Sequence, residues 1–182
     1  MGQIFEDDGA VVPVTFVVCE PNEVLQIKTA EKDNSAGVVL GSAPLKKPRK
    51  TKKFKTARQF SSENLPQKVG EKVSVAIFEG CESLIVTGVS KGKGFQGGVK
   101  RHNFRTARHT HGTKEGRHGS TGACASPGRT KPGLKMAGQM GGEKVTLRNR
   151  KIAQIFSDKN VVAIKGALPG AINSTLILKI KK

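Results

Sequence analysis

No tryptophan and no tyrosine occur in these 182 residues, and eight phenylalanines make up the whole aromatic complement. A surface that binds single-stranded nucleic acid by stacking successive bases is therefore poorly supplied. Acid is scarce too, with 14 Asp and Glu against 32 Lys and Arg and a formal net charge of +18. A nucleotide enzyme that holds magnesium on carboxylates, or uses one as a base, has little to be built from. Cys19, Cys81 and Cys124 are odd in number, far apart and without a C-x-x-C pair, which fits reduced thiols rather than a disulfide framework. No apolar run approaches the length of a membrane span, and the start, with Glu6, Asp7 and Asp8, looks like neither a secretory leader nor a transit peptide. The expected location is the cytosol, and neither a membrane nor a small-molecule substrate is an expected partner.

What the chain has is cationic charge, unevenly placed. From Lys91 to Lys151 fifteen Lys and Arg face two acids, and from Lys46 to Arg58 eight cations face none. These segments carry +13 and +8, which leaves −3 for everything else. A nearly neutral body with two strongly basic segments is the charge asymmetry of a nucleic-acid binder. Within the larger segment, residues 91–143, a glycine or a cation recurs at almost every second or third position. Its larger apolar side chains are only Phe95, Val99, Phe104, Leu134, Met136 and Met140. Six such groups cannot offset the conformational entropy of ordering a segment this long, so a polyanion is expected to order it.

The remainder reads as short β-strands. Ile4-Phe5, Val11 to Val18, Val24 to Thr29 and Val38 to Leu40 are rich in β-branched residues and are separated by Asp7-Asp8-Gly9, Pro21-Asn22 and Asp33-Asn34. Pro13 is expected on an edge or at a bulge. Lys72 to Phe78 and Ser83 to Val89 follow, joined by Glu79-Gly80-Cys81-Glu82. After the basic segment come Val145 to Leu147, a hairpin of Ile152 to Phe156 and Val161 to Lys165 about the turn Ser157-Asp158-Lys159-Asn160, and a last strand from Leu176 to Ile180. The fold class is mainly β, a small barrel or sandwich. Residues 1–90 and 144–182 form its body and 91–143 a long loop extension. Residues 44–62 are a short basic excursion in which Lys50 to Phe60 can form a helical turn or two anchored by Phe54 and Phe60. It reads as a second nucleic-acid contact rather than a solvated linker.

Several motifs dissolve on inspection. Gly92-x-Gly94-x-x-Gly97 with Glu115 further on matches a dinucleotide-binding fingerprint, but Gly98-Val-Lys-Arg-His-Asn-Phe-Arg offers no apolar helical face to pack on a parallel sheet. Those glycines better serve close approach of backbone to phosphate. His102, His109, His111, His118 and Cys124 have no finger-like spacing, and surrounding cations repel a metal. Imidazoles here suit stacking on bases or bonding to phosphates. Cys124 has no Asp or Asn placed to orient a base for nucleophilic catalysis. Asn173-Ser174-Thr175 matches a glycosylation acceptor that a cytosolic protein does not use. No cofactor and no metal are expected.

Longer motifs carry a family resemblance. Thr87-Gly-Val-Ser-Lys-Gly-Lys-Gly-Phe-Gln-Gly and Val99-Lys-Arg-His-Asn-Phe resemble the ribosomal protein L three family of the large subunit, in its bacterial form. So do Thr110-His-Gly, Gly119-Ser-Thr-Gly-Ala, Pro127-Gly-Arg, Lys135-Met-Ala-Gly-Gln-Met-Gly and Glu143-Lys-Val-Thr. Ile164-Lys-Gly-Ala-Leu-Pro-Gly stands where Val-Lys-Gly-Ala-Val-Pro-Gly is usual, and the opening MGQIFEDDGAVVPVT is similar as well. The family usually begins about ten residues earlier, so the resemblance implies either a truncated start or a barrel without its first strand. Leu45 to Phe60 is similar to the family's small helical excursion only in Lys-Pro and Arg-x-Phe.

The resemblance implies a β-barrel related to those of translation factors, and a loop that threads ribosomal RNA toward the peptidyl-transferase region. It further implies a structural rather than enzymatic role in the cytoplasmic ribosome, early in subunit assembly, beside neighbouring large-subunit proteins. The residues expected to contact the RNA are Lys91, Lys93, Phe95, Gln96, Lys100, Arg101, His102, Asn103, Arg105, Arg108, His109, His111, Lys114, Arg117, Arg129, Lys131, Lys135 and Gln139. Gln139 matches the glutamine whose side-chain amide is methylated in some bacteria, which makes a glutamine methyltransferase a further partner. The alternative reading is a general nucleic-acid chaperone that binds DNA and RNA alike.

Overall fold

In the computed structural model, residues 1–6, 8–29, 33, 35–50, 52–61, 68–106, 110–112, 119–122 and 125–181 are described. The expected turn residues Asp7 and Asn34 lie outside them. The chain divides into two compact units, Met1–Val86 with Leu147–Leu168 and Leu178–Lys182, and Thr87–Thr146 with Pro169–Ile177.

In the first unit, β1 (Gly2–Phe5) pairs antiparallel with β2 (Val11–Val18), from Gly2 opposite Val14 to Phe5 opposite Val11. The other side of β2 pairs with β11 (Val161–Lys165), which in turn pairs with β10 (Lys144–Phe156). The β10–β11 turn is the expected one: Ser157–Lys159 form a single 3-10 turn and Asn160 takes the left-handed conformation at φ 52° that closes it. With β7 (Ser83–Val89) and β12 (Ile177–Ile180) these strands make a six-stranded sheet in the order β1-β2-β11-β10-β7-β12. Val162, Ala163 and Ile164 are all 0 % exposed. Successive residues of a strand face opposite ways, so β11 is covered on both faces, and its unbroken Val-Val-Ala-Ile is the sequence counterpart. Val12, Val14 and Ala163 form one cluster, with Ile4 and Phe156 packed on it.

The second sheet has four strands in the order β5-β4-β3-β6, made of β3 (Asn22–Lys28), β4 (Gly37–Pro44), β5 (Phe54–Phe60) and β6 (Lys72–Val73). Its cluster is Val24, Val38 and Leu40, with Ile27, Phe60 and Val73 against it. Val75–Phe78, expected to continue a strand, is a 3-10 turn instead.

The mainly β architecture is as expected. Three further expectations need correction. The strands do not close: among the described residues the six-stranded and four-stranded sheets are open, each with two edges. Closure depends on tilt and stagger between strands, which strand length and spacing do not encode. The excursion is not helical. Phe54 to Phe60 is β5, in register with β4 from Val38 opposite Phe60 to Pro44 opposite Phe54. Phe54 and Phe60 stand six residues apart, an even number that puts both on one face of a strand, whereas a helix turns them far apart. Pro13, too, lies in the interior strand β2 rather than at an edge. It stands one residue beyond the last β2–β11 pair, Val14 with Lys165, where its carbonyl accepts from the Gly166 N–H at 2.8 Å.

Candidate nucleic-acid interface

The second unit holds the glycine-rich basic segment, and its two ends are stitched together. The Ser90 N–H donates to the Glu143 carbonyl at 2.9 Å, the Gly142 N–H to the Ser90 carbonyl at 3.2 Å, and the Glu143 N–H to Ser90 Oγ at 3.2 Å. Further out, the Lys93 N–H donates to the Met140 carbonyl at 2.9 Å. There the chain forms a two-stranded ribbon of β8 (Gly94–Gln96) and β9 (Gly138–Met140). Gly141 makes this crossing feasible. Its φ is +72°, and a Cβ there would sit 2.1 Å from the Lys91 carbonyl oxygen.

A five-residue helix, α1 (Gly98–His102), follows β8, and Asn103 ends it at φ 57°. The Arg101 Nη1 donates to the Met136 carbonyl at 2.8 Å. His102 Nε2 lies 3.0 Å from the same oxygen, and since a carbonyl only accepts, the ring donates through a protonated Nε2. The His102 and Phe104 rings are 5.8 Å apart. Phe104 also fills the space over Gly98, where a Cβ would meet it at 2.8 Å. A helix thus does open after the third glycine of the fingerprint, but it is one turn long and the ribbon before it is antiparallel. Neither suits a dinucleotide fold.

Around this neck the expected contact residues divide. Lys91, Lys93, Lys100, Asn103, Arg105, His111, Arg129, Lys131, Lys135 and Gln139 are exposed. None of the cations among them is paired with a carboxylate among the described residues. Phe95 is 75 % exposed and stands opposite Gln139 in the ribbon register, so the ring and the amide share one open face. Gln96 turns back to donate to the Lys93 carbonyl. Arg101 and His102 are half-buried and hold Met136, so part of their bonding capacity is already used inside the chain. Arg108, His109, Lys114 and Arg117 lie outside the described residues, as do Glu115, His118 and Cys124. Among the described residues no group of three or more His, Cys, Asp and Glu could hold a metal ion, and no helix is long and apolar enough to cross a membrane.

Sequence reasoning missed the stitching by Ser90, Met136 and Gly141. Backbone groups do most of it, and a backbone carbonyl has no signature in sequence. The one available signal was the pair Gly141-Gly142 directly before Glu143.

A cationic face on a hydrogen-bonded neck, unpaired among the described residues, can neutralise phosphates and let backbone approach them closely. Comparison with known proteins agrees in kind. The sequence profile described as Ribosomal protein L3 matches residues 51–167. A protein of Borrelia hermsii named large ribosomal subunit protein uL3 is 39% identical over 192 residues, covering 98% of this chain and 92% of its own. Proteins of the same name from Halorhodospira halophila and Chromohalobacter salexigens are 37% and 39% identical over 202 and 196 residues. Each comparison covers 98% of this chain, and 93% and 92% of the respective relative. The chain therefore belongs to the ribosomal protein L3 family.

Proposed function

We propose that this protein is a structural, non-enzymatic constituent of the large ribosomal subunit that binds large-subunit ribosomal RNA through residues 91–143 and acts early in subunit assembly. The loop bridges RNA segments that would otherwise repel, and its far part reaches toward the peptidyl-transferase region. The observation that carries the reading is the set of exposed cations, without an ion pair among the described residues, on a neck whose geometry is set by the chain's own hydrogen bonds. Preorganisation lowers the ordering cost that the RNA must offset. Gln139, exposed beside Phe95, is accessible for methylation of its side-chain amide by a glutamine methyltransferase. Neighbouring large-subunit proteins are the remaining partners, and the site of action is the cytoplasmic ribosome.

The test is sedimentation of a lysate through sucrose in low and in high salt. The protein is expected to travel with the large subunit and to resist stripping by salt. If it stays at the top of the gradient or follows DNA, the ribosomal reading fails and a general nucleic-acid chaperone replaces it. On isolated ribosomal RNA, about eight phosphate contacts give a log-log salt slope of about −6 to −7. A slope near about −2 is too shallow for a loop embedded in RNA.

A further inference from the structure

The β4–β5 hairpin does not end where its strands end. Beyond the Pro44–Phe54 pair, the Leu45 N–H donates to the Lys53 carbonyl at 2.9 Å, and Arg49 and Lys52 exchange backbone bonds of 3.0 and 3.2 Å. Backbone bonds thus continue beyond the strands, with Lys46 and Lys47 in bends between the two sets. On it stand Lys46, Lys47, Arg49, Lys50, Lys52 and Lys53, all exposed. No acid occurs from Pro44 to Phe60, and among the described residues none of these cations is ion-paired.

Lysines on an edge strand discourage unwanted strand pairing, and β5 is an edge. That purpose needs a charge or two. Eight cations between Lys46 and Arg58 repel one another with no ion pair among the described residues, which favours a polyanionic partner. The aromatic rings indicate which kind. No aromatic residue lies between Leu45 and Lys53, and the Phe54 ring is turned into the sheet, where a Cβ on Gly41 would meet it at 2.9 Å. With nothing to stack on, unstacked bases gain little here, whereas the phosphates of a base-paired segment need only exposed cations.

We infer that the tip of the β4–β5 hairpin is a second RNA-binding surface, which grips the phosphate backbone of double-helical RNA independently of the 91–143 loop. The inference rests on the ribosomal reading for its choice of RNA. The test uses the full chain and a variant with Lys46→Gln, Lys47→Gln, Arg49→Gln and Lys50→Gln. Both are titrated at several salt concentrations against large-subunit ribosomal RNA transcribed in vitro and against a short blunt RNA duplex.

If all four cations contact phosphates, the variant's log-log slope is shallower by about 3 on both probes, from about 0.7–0.9 per contact. Equal slopes for the two proteins overturn the inference. So does a difference confined to the ribosomal RNA, which assigns the tip to something other than a duplex. Unchanged RNA slopes with lost binding of a purified neighbouring ribosomal protein make the tip a protein contact and overturn it as well. A wild-type chain that binds neither probe sinks the ribosomal reading itself, a result distinct from any wild-type-to-variant comparison. Should the fourfold variant melt early by circular dichroism, Lys46→Gln/Lys47→Gln and Arg49→Gln/Lys50→Gln are measured separately, each with an expected change of about 1.5.

Discussion

Arg101 reaches across thirty-five residues of chain to donate to the Met136 carbonyl at 2.8 Å, and His102 bonds the same oxygen. A side chain that composition marks for RNA is thereby engaged in holding the neck of the loop. Its loss is expected to act on structure before it acts on affinity.

Arg101→Met keeps the bulk of the stem and removes the donor. A bond from a charged donor contributes about 1.5–3 kcal/mol, and the remaining His102 contact puts the loss at the lower end. Amide hydrogen exchange at Lys93, whose N–H is bonded to Met140, is expected to speed up about tenfold. Unchanged protection would show that the guanidinium is dispensable to the neck.

Two adjacent glycines separate strain from collision. Gly142 has φ +70° and open space around it, while Gly141 has φ +72° and the Lys91 carbonyl where a Cβ would be. Gly142→Ala is expected to cost about 1 kcal/mol for the left-handed backbone alone. Gly141→Ala must also displace backbone, so its Lys93 amide should lose protection and its large-subunit incorporation should fall, with little change for Gly142→Ala. Equal behaviour of the two variants would mean that the neck yields easily.

Leu84 is 0 % exposed in β7. Leu84→Ala removes buried methyl groups and leaves a cavity, at about 2–5 kcal/mol. The urea midpoint should drop with an unchanged slope; a changed slope would point to loss of two-state unfolding instead.

Burial pushes the Cys19 thiol up from 9.0 to about 11, and its Sγ donates to the Val17 carbonyl at 3.8 Å. A folded-state value above the unfolded one means that the contribution is complete below pH 9 and is lost as pH rises toward 11. The melting temperature should therefore fall more steeply across that window in the native chain than in Cys19→Ala. Parallel curves would remove Cys19 as the cause. At neutral pH the same thiol should react slowly with alkylating reagents.

Period and charge were legible at once. The β-branched run Val11 to Val18, the turn at Ser157 to Asn160 and the strand Val161 to Lys165 placed β2 and β11, whereas Val145 to Leu147 and Ile152 to Phe156, read as separate elements, are parts of one strand, β10. The exposed cations of residues 91–143 were equally plain, because exposure is the default for a charged side chain. Lys50 to Phe60 was misread because its lysines and arginines suit a helix, and the even spacing of Phe54 and Phe60, which only a partner strand makes useful, was outweighed.

The sequence by itself determined the chemistry of this protein: a weakly aromatic, strongly cationic chain with a β body and motifs of one family, all properties of residue type and spacing. Tertiary structure alone decided the open edges of the sheets, the conversion of a basic excursion into a β-hairpin, and the assignment of Arg101 and His102 to the Met136 carbonyl. Each of these turns on backbone groups meeting across long stretches of chain, and a backbone amide is the same at every position until the fold gives it a partner.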